Sequence, residues 1–312
     1  MRIEDVGKLS SLQRFLYWIT ERHAVHVKRT AGEPRPWTDD TVLQNYFFTN
    51  PYRENDKTTV WFRENIRERL RNEPEVLMAT VIFRWFNLIE TGRVLLDEDS
   101  PEGVQRDLTV DWDPDVATER LTAQWDDGKN PVFTGAYMIK AGNGERGCKI
   151  PNVCTSIQRL WEDKDRLVEM CYHDCRLRAL WEILIEYPNL GGFMAYEIVC
   201  DLRYTYLLED ATDVDTWANP GPGALRGLLR LEGKAIPMRS EGKVKRQVNV
   251  SMPLERMVDL LQICRARLPK DMPRFELREV EHSLCEWDKY ERARTGEGGR
   301  MKRTFNGEYG DE

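Results

Sequence analysis

Residues Tyr187 to Gly227 read YPNLGGFMAYEIVCDLRYTYLLEDATDVDTWANPGPGALRG, and the punctuation of this stretch decides the fold class. Just before it, Leu177, Leu180, Trp181 and Leu184 recur at helical spacing. Pro188 and Asn189 end that helix, and Gly191-Gly192 is expected to supply the φ > 0 of a tight turn. Met194, Ala195, Ile198, Val199 and Leu202 then give a second helix one apolar face. Two short helices joined by a Gly turn aim backbone N–H groups outward, and such a turn holds a DNA phosphate without reading bases. Beyond the second helix lie Asp210, Asp213 and Asp215, and then the Gly221-Pro222-Gly223 turn. The stretch therefore predicts helix, hairpin, helix, acidic loop, turn and helix.

This order resembles the helix-hairpin-helix superfamily of DNA base glycosylases. The hairpin is Asn189-Leu190-Gly191-Gly192-Phe193-Met194-Ala195, and the later segment that would hold a catalytic aspartate is Val214-Asp215-Thr216-Trp217. Position 217 is Trp where the superfamily has His, and Phe193 and Met194 stand where a hairpin lysine is usual. A Schiff-base lyase step is therefore not expected. The resemblance implies a carboxylate near C1′ of the sugar, with Asp215 the first choice and Asp213 the second. There it would stabilise oxocarbenium-like charge and position a water.

Working outward, Leu9, Leu12, Leu16 and Ile19 mark an amphipathic first helix that stops near Ala31-Gly32. A Pro-rich loop, residues 33–40, follows, with Thr38 or Asp39 expected to cap a helix through Val42, Leu43 and Tyr46. A polar and aromatic loop then leads into a helix from about Thr58 to Leu70. Residues 75–91 are apolar nearly all round, as a core helix would be, and Gly92 is the expected C′ residue. Val132–Ile139 reads as a short strand or an extended segment. The Gly-rich loop from Ala141 to Cys148 is weak evidence for phosphate contact. Helices resume from about Val153 to Glu186, residues 233–250 read as a polar, basic loop, and two more helices run through Leu254–Leu268 and up to Lys289.

A second resemblance runs through much of the chain. Its blocks are Glu21-Arg22-His23, Pro36-Trp37-Thr38-Asp39-Asp40, Phe48-Thr49-Asn50-Pro51-Tyr52-Arg53-Glu54, Phe133 to Ile139, Gly191 to Gly227, and Glu281 to Tyr290. Together they resemble the helical domain associated with phage 5-hydroxymethyluracil DNA kinases. That domain is shared with the α-glutamyl/putrescinyl-thymine pyrophosphorylases of DNA hypermodification. The P-loop signature GxxxxGK[ST] is absent from this chain, so the kinase chemistry itself is not expected of it.

An enzyme that works on a base must flip it out and hold it against aromatic faces. Trp37, Tyr52, Tyr137 and Trp217 are the candidate walls, with Asp39, Asp40, Asn50 and Arg53 at the base edge. DNA grip is assigned to Leu190, Gly191 and Gly192 and to the basic residues Arg226, Arg230, Lys243, Lys245 and Arg246.

Composition bounds the rest. The 312 residues, 41% hydrophobic with ten Trp, suffice for a well-packed core. No apolar run approaches the ~20 residues that span a bilayer, and MRIEDVGKLS lacks a signal-peptide pattern. Seven Cys without a CxxC pair suit a reduced, cytoplasmic protein. A net charge of −7 leaves DNA binding to a local basic face. No cofactor and no metal site are expected. On a helix, Cys171 and Cys175 share a face while His173 points away. His282 and Cys285 sit one turn apart, and a packing role is preferred for their helix, with Glu281 or Lys289 bordering the site.

The expected fold is mainly α, helix-hairpin-helix DNA glycosylase-like, with two helical lobes. Residues 1–312 form one family-wide unit, divided into an N-terminal lobe (1–130), a hairpin-bearing lobe (131–295) and a flexible basic tail (296–312). The expected function is a DNA glycosylase cleaving the N-glycosidic bond of a hypermodified pyrimidine, leaving an abasic site, in a setting of defence against phages. The alternative is a hypermodification enzyme that replaces pyrophosphate on activated 5-hydroxymethyluracil with an amine. A third reading is a non-catalytic module that binds modified DNA. The expected partner in every case is DNA with modified bases, and the sequence leaves the oligomeric state open.

Overall fold

A computed structural model describes residues 3–100, 105–136, 138–141, 148–234 and 251–297. Among these, fourteen α-helices and no strand are found. In chain order they are α1 (Ile3–Val6), α2 (Ser11–Thr30), α3 (Thr41–Asn45), α4 (Lys57–Phe62), α5 (Val76–Phe86), α6 (Ile89–Leu96) and α7 (Pro114–Trp125). Then come α8 (Lys149–Glu162), α9 (Lys164–His173), α10 (Leu177–Leu184), α11 (Gly192–Leu202), α12 (Pro222–Leu231), α13 (Ser251–Arg267) and α14 (Leu277–Thr295). The mainly α class read from the sequence is the class observed. Contacts group the chain into two units, one of Met1–Asp56 with Val214–Glu312 and one of Lys57–Asp213. A dividing line near residue 130 falls inside the second of these.

In the discontinuous unit, α2 begins with a reciprocal cap. Gln13 N donates to Ser10 Oγ (3.3 Å) while Ser10 N donates to Gln13 Oε1 (2.9 Å). The inward face of α2 carries Phe15, Trp18 and Ile19, all fully buried. Phe15 meets Trp287 of α14 edge to face at 5.6 Å, and Trp18 meets Phe48 at 6.4 Å. The cap of α3 is Asp40, one residue past the expected pair: its Oδ1 accepts from Val42 N (2.8 Å) and Leu43 N (3.2 Å). Its Oδ2 accepts from the phenols of Tyr17 (3.1 Å) and Tyr290 (2.6 Å), so one buried carboxylate ties α2, α3 and α14 together. α12 lies hard against α14. A Cβ on Gly223 would stand 2.2 Å from Cys285 Sγ, and one on Gly227 would stand 2.4 Å from the carbonyl oxygen of Leu284.

In the Lys57–Asp213 unit, every residue of α5 is buried, as its nearly all-round apolar sequence predicts. Arg84 is its charged member. The guanidinium is paired with Asp201 of α11, donates to Asn87 Oδ1 (2.7 Å) and Thr59 Oγ1 (3.1 Å), and lies over the rings of Phe62 and Phe83. The helix ends at Asn87 in the left-handed conformation (φ 48°), eleven residues after Val76 and short of the expected Gly92. Gly92 instead sits in α6, where a Cβ would meet Trp61 at 2.3 Å. The segment expected as a helix from Thr58 to Leu70 is α4 followed by a π-helical turn, Arg63–Arg67. Between Val132 and Ile139 the described residues form no strand; Thr134 N bonds Phe86 O at 2.8 Å.

The helix, turn and helix predicted around Gly191 are present as α10 and α11, but the left-handed residue is Asn189 (φ 68°). Asn tolerates this region better than most residues, and its side chain donates to Ser156 Oγ at 2.9 Å. Gly191 has an ordinary φ of −84° as the N-cap of α11, and nothing lies within 4 Å of where its Cβ would be. A bulky residue there would therefore not strain the turn.

Candidate functional site

The site is assembled from α14 and the extended segment that follows α3. His282, Glu286 and Lys289 lie at i, i+4 and i+7 on α14 and so share one face. Each reaches the segment at residues 47–49. Glu286 Oε2 accepts from Thr49 N (3.0 Å), His282 Nε2 lies 2.7 Å from Thr49 Oγ1, and Lys289 Nζ donates to Phe47 O. From α2, Arg22 Nε donates to Phe48 O at 2.9 Å. An extended segment has backbone groups that a helix would satisfy internally, and here side chains of two helices satisfy them.

The chain then turns through residues 50–56. Asn50 N and its side-chain amide both donate to Asp56 Oδ1 (2.9 and 3.1 Å), and the amide also donates to Asn55 O (3.0 Å). Tyr52 is buried against His23 and Phe275, edge to face at 5.2 and 5.5 Å, and donates to Pro273 O at 2.8 Å. Arg53 pairs with Asp56 (3.4 Å), and Arg278 pairs with Glu279 (2.9 Å) and Glu54 (3.8 Å). On the neighbouring turn of α14, Glu281 Oε1 accepts from Gly221 N at 3.0 Å.

His282 is half-buried on α14. Burial, followed by the charges of Arg53 and Arg278, holds its pKa well below the ordinary imidazole value, so the ring is neutral at pH 7. Burial also raises Asp56 and Glu279, each opposed by its arginine. The Cys285 thiol is pushed up to about 12 by burial and lies under α12 at Gly223, which leaves it a packing residue and not a thiolate nucleophile.

The structure places the expected base-pocket residues as follows. Asn50, Tyr52 and Arg53 share the loop against α14. Asp40 is buried in its cap, Asp39 is exposed, and Trp37 donates from Nε1 to Glu33 O (2.7 Å) with Arg35 over its ring. Trp217 is buried, and Tyr137 lies outside the described residues. Asp213 accepts from Leu177 N (2.8 Å) and Arg178 N (3.0 Å), closing the N-terminus of α10. Asp215 is gripped by Arg265 (2.6 and 2.9 Å) and Arg274 (2.6 Å), and the two cations hold its carboxyl below the usual range against the opposing effect of burial. Among the proposed DNA contacts, Leu190 is buried and Gly191 and Gly192 are half-buried, with Gly192 O accepting from Trp181 Nε1 at 2.8 Å. Arg226 and Arg230 both pair with the buried carboxylate of Asp288, at 2.9 and 2.7 Å. Lys243, Lys245 and Arg246 lie outside the described residues, as do most of the Gly-rich loop at 141–148, most of the 233–250 loop and nearly all of the 296–312 tail.

Sequence reasoning gave His282 a packing role and named no role for Thr49, Glu286 or Arg278. The signal was present in the blocks Glu21–His23, Phe48–Glu54 and Glu281–Tyr290, which contribute the groups just described. No helix among the described residues is long and apolar enough to cross a membrane.

A family model described as 5-hmdU DNA kinase, helical domain, matches residues 10–300. A 5-hmdU DNA kinase of Bacillus phage SP10 is 28% identical over 231 residues, covering 67% of this chain and 34% of the relative. The chain thus spans about a third of the length of that relative. No solved structure matches, so the glycosylase-like arrangement has no structural neighbour behind it. The match also overturns the expected hydrolase. Both the family and the relative are named for a DNA kinase, a transferase, and neither for cleavage of an N-glycosidic bond. The catalytic role expected of Asp215 and Asp213 was tied to that cleavage.

Proposed function

The chain belongs to the 5-hmdU DNA kinase helical-domain family, and from that premise we propose that it acts in DNA base hypermodification, on DNA whose bases derive from 5-hydroxymethyluracil. The step assigned to it is group transfer at the 5-methylene carbon: an amine replaces pyrophosphate on the activated base. Phosphorylation is not the step assigned, since this chain carries no P-loop signature. The observation that supports the reading is the face of α14 where His282 lies 2.7 Å from Thr49 beside Glu286, with the neutral imidazole near the charges of Arg53, Arg278 and Lys289. Displacement of pyrophosphate by an amine is served by both. A neutral base takes the proton the amine must lose, and cations offset the charge that develops on the leaving pyrophosphate. Arg53, Arg278 and Lys289 supply that charge beside His282. Asn50, Tyr52 and Arg53 are proposed to border the base.

The test is incubation of the full chain with duplex DNA bearing pyrophosphorylated 5-hydroxymethyluracil and putrescine. Release of pyrophosphate with appearance of an aminated base by mass spectrometry is expected. Release of free base, or no change in either substrate, would refute the proposal.

A further inference from the structure

We propose that Thr49 and His282 form a proton relay: the Thr49 hydroxyl takes the proton from the attacking amine as its own proton passes to His282 Nε2. This deepens the reaction just proposed and rests on it. Three observations support it. Thr49 Oγ1 and His282 Nε2 are 2.7 Å apart, the separation at which a hydroxyl and a base act as a pair. Neither residue is fully buried. In the relay the single N–H of the neutral ring stands on Nδ1, which leaves Nε2 to accept from the Thr49 hydroxyl. Finally, Thr49 is held in place from the other side, its N–H donating to Glu286 at 3.0 Å.

The charged groups around the ring come from both elements. Arg278, Lys289, Glu281 and Glu286 project from α14, and Arg53, with Glu54 and Asp56, belongs to the 47–56 segment. In the step itself, the neutral amine nitrogen forms a bond to the 5-methylene carbon. The carbon–oxygen bond breaks, and its electron pair leaves with the pyrophosphate. The ammonium proton moves to Thr49 Oγ1, and the former hydroxyl proton ends on His282 as imidazolium. Thr49 touches the nucleophile; His282 acts through Thr49.

Two readouts test the relay. In the amine-displacement assay, Thr49→Val should lower kcat by about 10²–10⁴-fold, the usual range for general-base help, with KM unchanged. Thr49→Ser should stay within about tenfold of wild type, because it restores the hydroxyl. Wild-type kcat should lack an inflection at the ordinary imidazole pKa, ~6.5, because the ring stays neutral there. Independently of turnover, ¹⁵N NMR of the His282 ring should place the proton on Nδ1. A ring protonated on Nε2, or a folded Thr49→Val variant with wild-type kcat, would overturn the relay. A wild-type chain that turns over no substrate while showing the Nδ1 tautomer would sink the proposed reaction and the relay with it, and would leave the hydrogen-bonded pair as a structural fact. The Nε2 tautomer in an active enzyme would sink the relay alone.

Discussion

Gly227→Ala should destabilise the protein, although Ala is intrinsically the better helix residue. In the middle of α12 the exchange gains about 1 kcal/mol of helix propensity. Against that, the new Cβ would stand 2.4 Å from Leu284 O, 2.9 Å from its carbonyl carbon and 3.0 Å from its Cβ. Ordinary contact begins near 3.5 Å, so the two helices must part by about 1 Å at this point. The obstacle is backbone, which has no rotamer to escape into. The cost therefore falls at the upper end of the roughly 1–3 kcal/mol typical of overpacking. The net loss is about 1–2 kcal/mol. At about 2–4 °C per kcal/mol for a protein of this size, Tm should drop by about 2–8 °C in a calorimetric scan. Leu284 lies between His282 and Glu286 on α14, so the same displacement shifts the ring relative to Thr49 and should lower turnover as well. Gly191→Ala is the control: it meets nothing within 4 Å at an ordinary φ, and should change stability by less than about 1 kcal/mol. A Gly227→Ala protein with a raised Tm would show that α12 and α14 are not in the contact described.

Two further outcomes are expected. Arg84→Met should cost about 3–5 kcal/mol in urea unfolding by leaving Asp201 buried without its partner, and adding Asp201→Leu should recover most of that; a double variant no more stable than the single one would contradict this. Burial and then Arg22 pull His26 down to about 4, so the unfolded chain takes up its proton first as pH falls from about 6.5, and the stability His26 gives above that pH is lost toward 4. Asp56 and Glu279, raised by burial, work the other way. The measurement is therefore the difference in the pH slope of unfolding free energy between wild type and His26→Gln, expected to be shallower in the variant, and equal slopes would count against the depressed pKa.

Helical periodicity was legible wherever one face is buried, as in α2, α10 and α11, and the apolar run of α5 announced a core helix. Element ends were harder to read, because they depend on partners far away in sequence. Asp40 caps α3 because it also receives the hydroxyls of Tyr17 and Tyr290, the second 250 residues away. Asn189 takes the left-handed position because Ser156 is placed to accept from its amide. The two glycines beside it look the stronger turn signal only when the loop is considered alone. The π turn at Arg63–Arg67 carries no mark in its composition. The Thr49–His282 pair joins residues 233 positions apart. Local pattern gave no reason to bring them together, and only the family-like blocks singled out both segments.

The unit that holds Thr49 and His282 is built from two pieces of chain, Met1–Asp56 and Val214–Glu312, with Lys57–Asp213 between them in sequence. On the ribosome this sets an order of events. α2 emerges with Phe15, Trp18 and Ile19 uncovered, and their partner Trp287 is synthesised more than 230 residues after the end of the first piece. At 5–20 residues per second the wait is roughly 10–50 s. Throughout it an apolar helix face is a target for chaperones or for other nascent chains, while the continuous Lys57–Asp213 segment already holds all of its own sequence. Slow translation of the last hundred codons should therefore lower the yield of native protein more than slow translation of the middle.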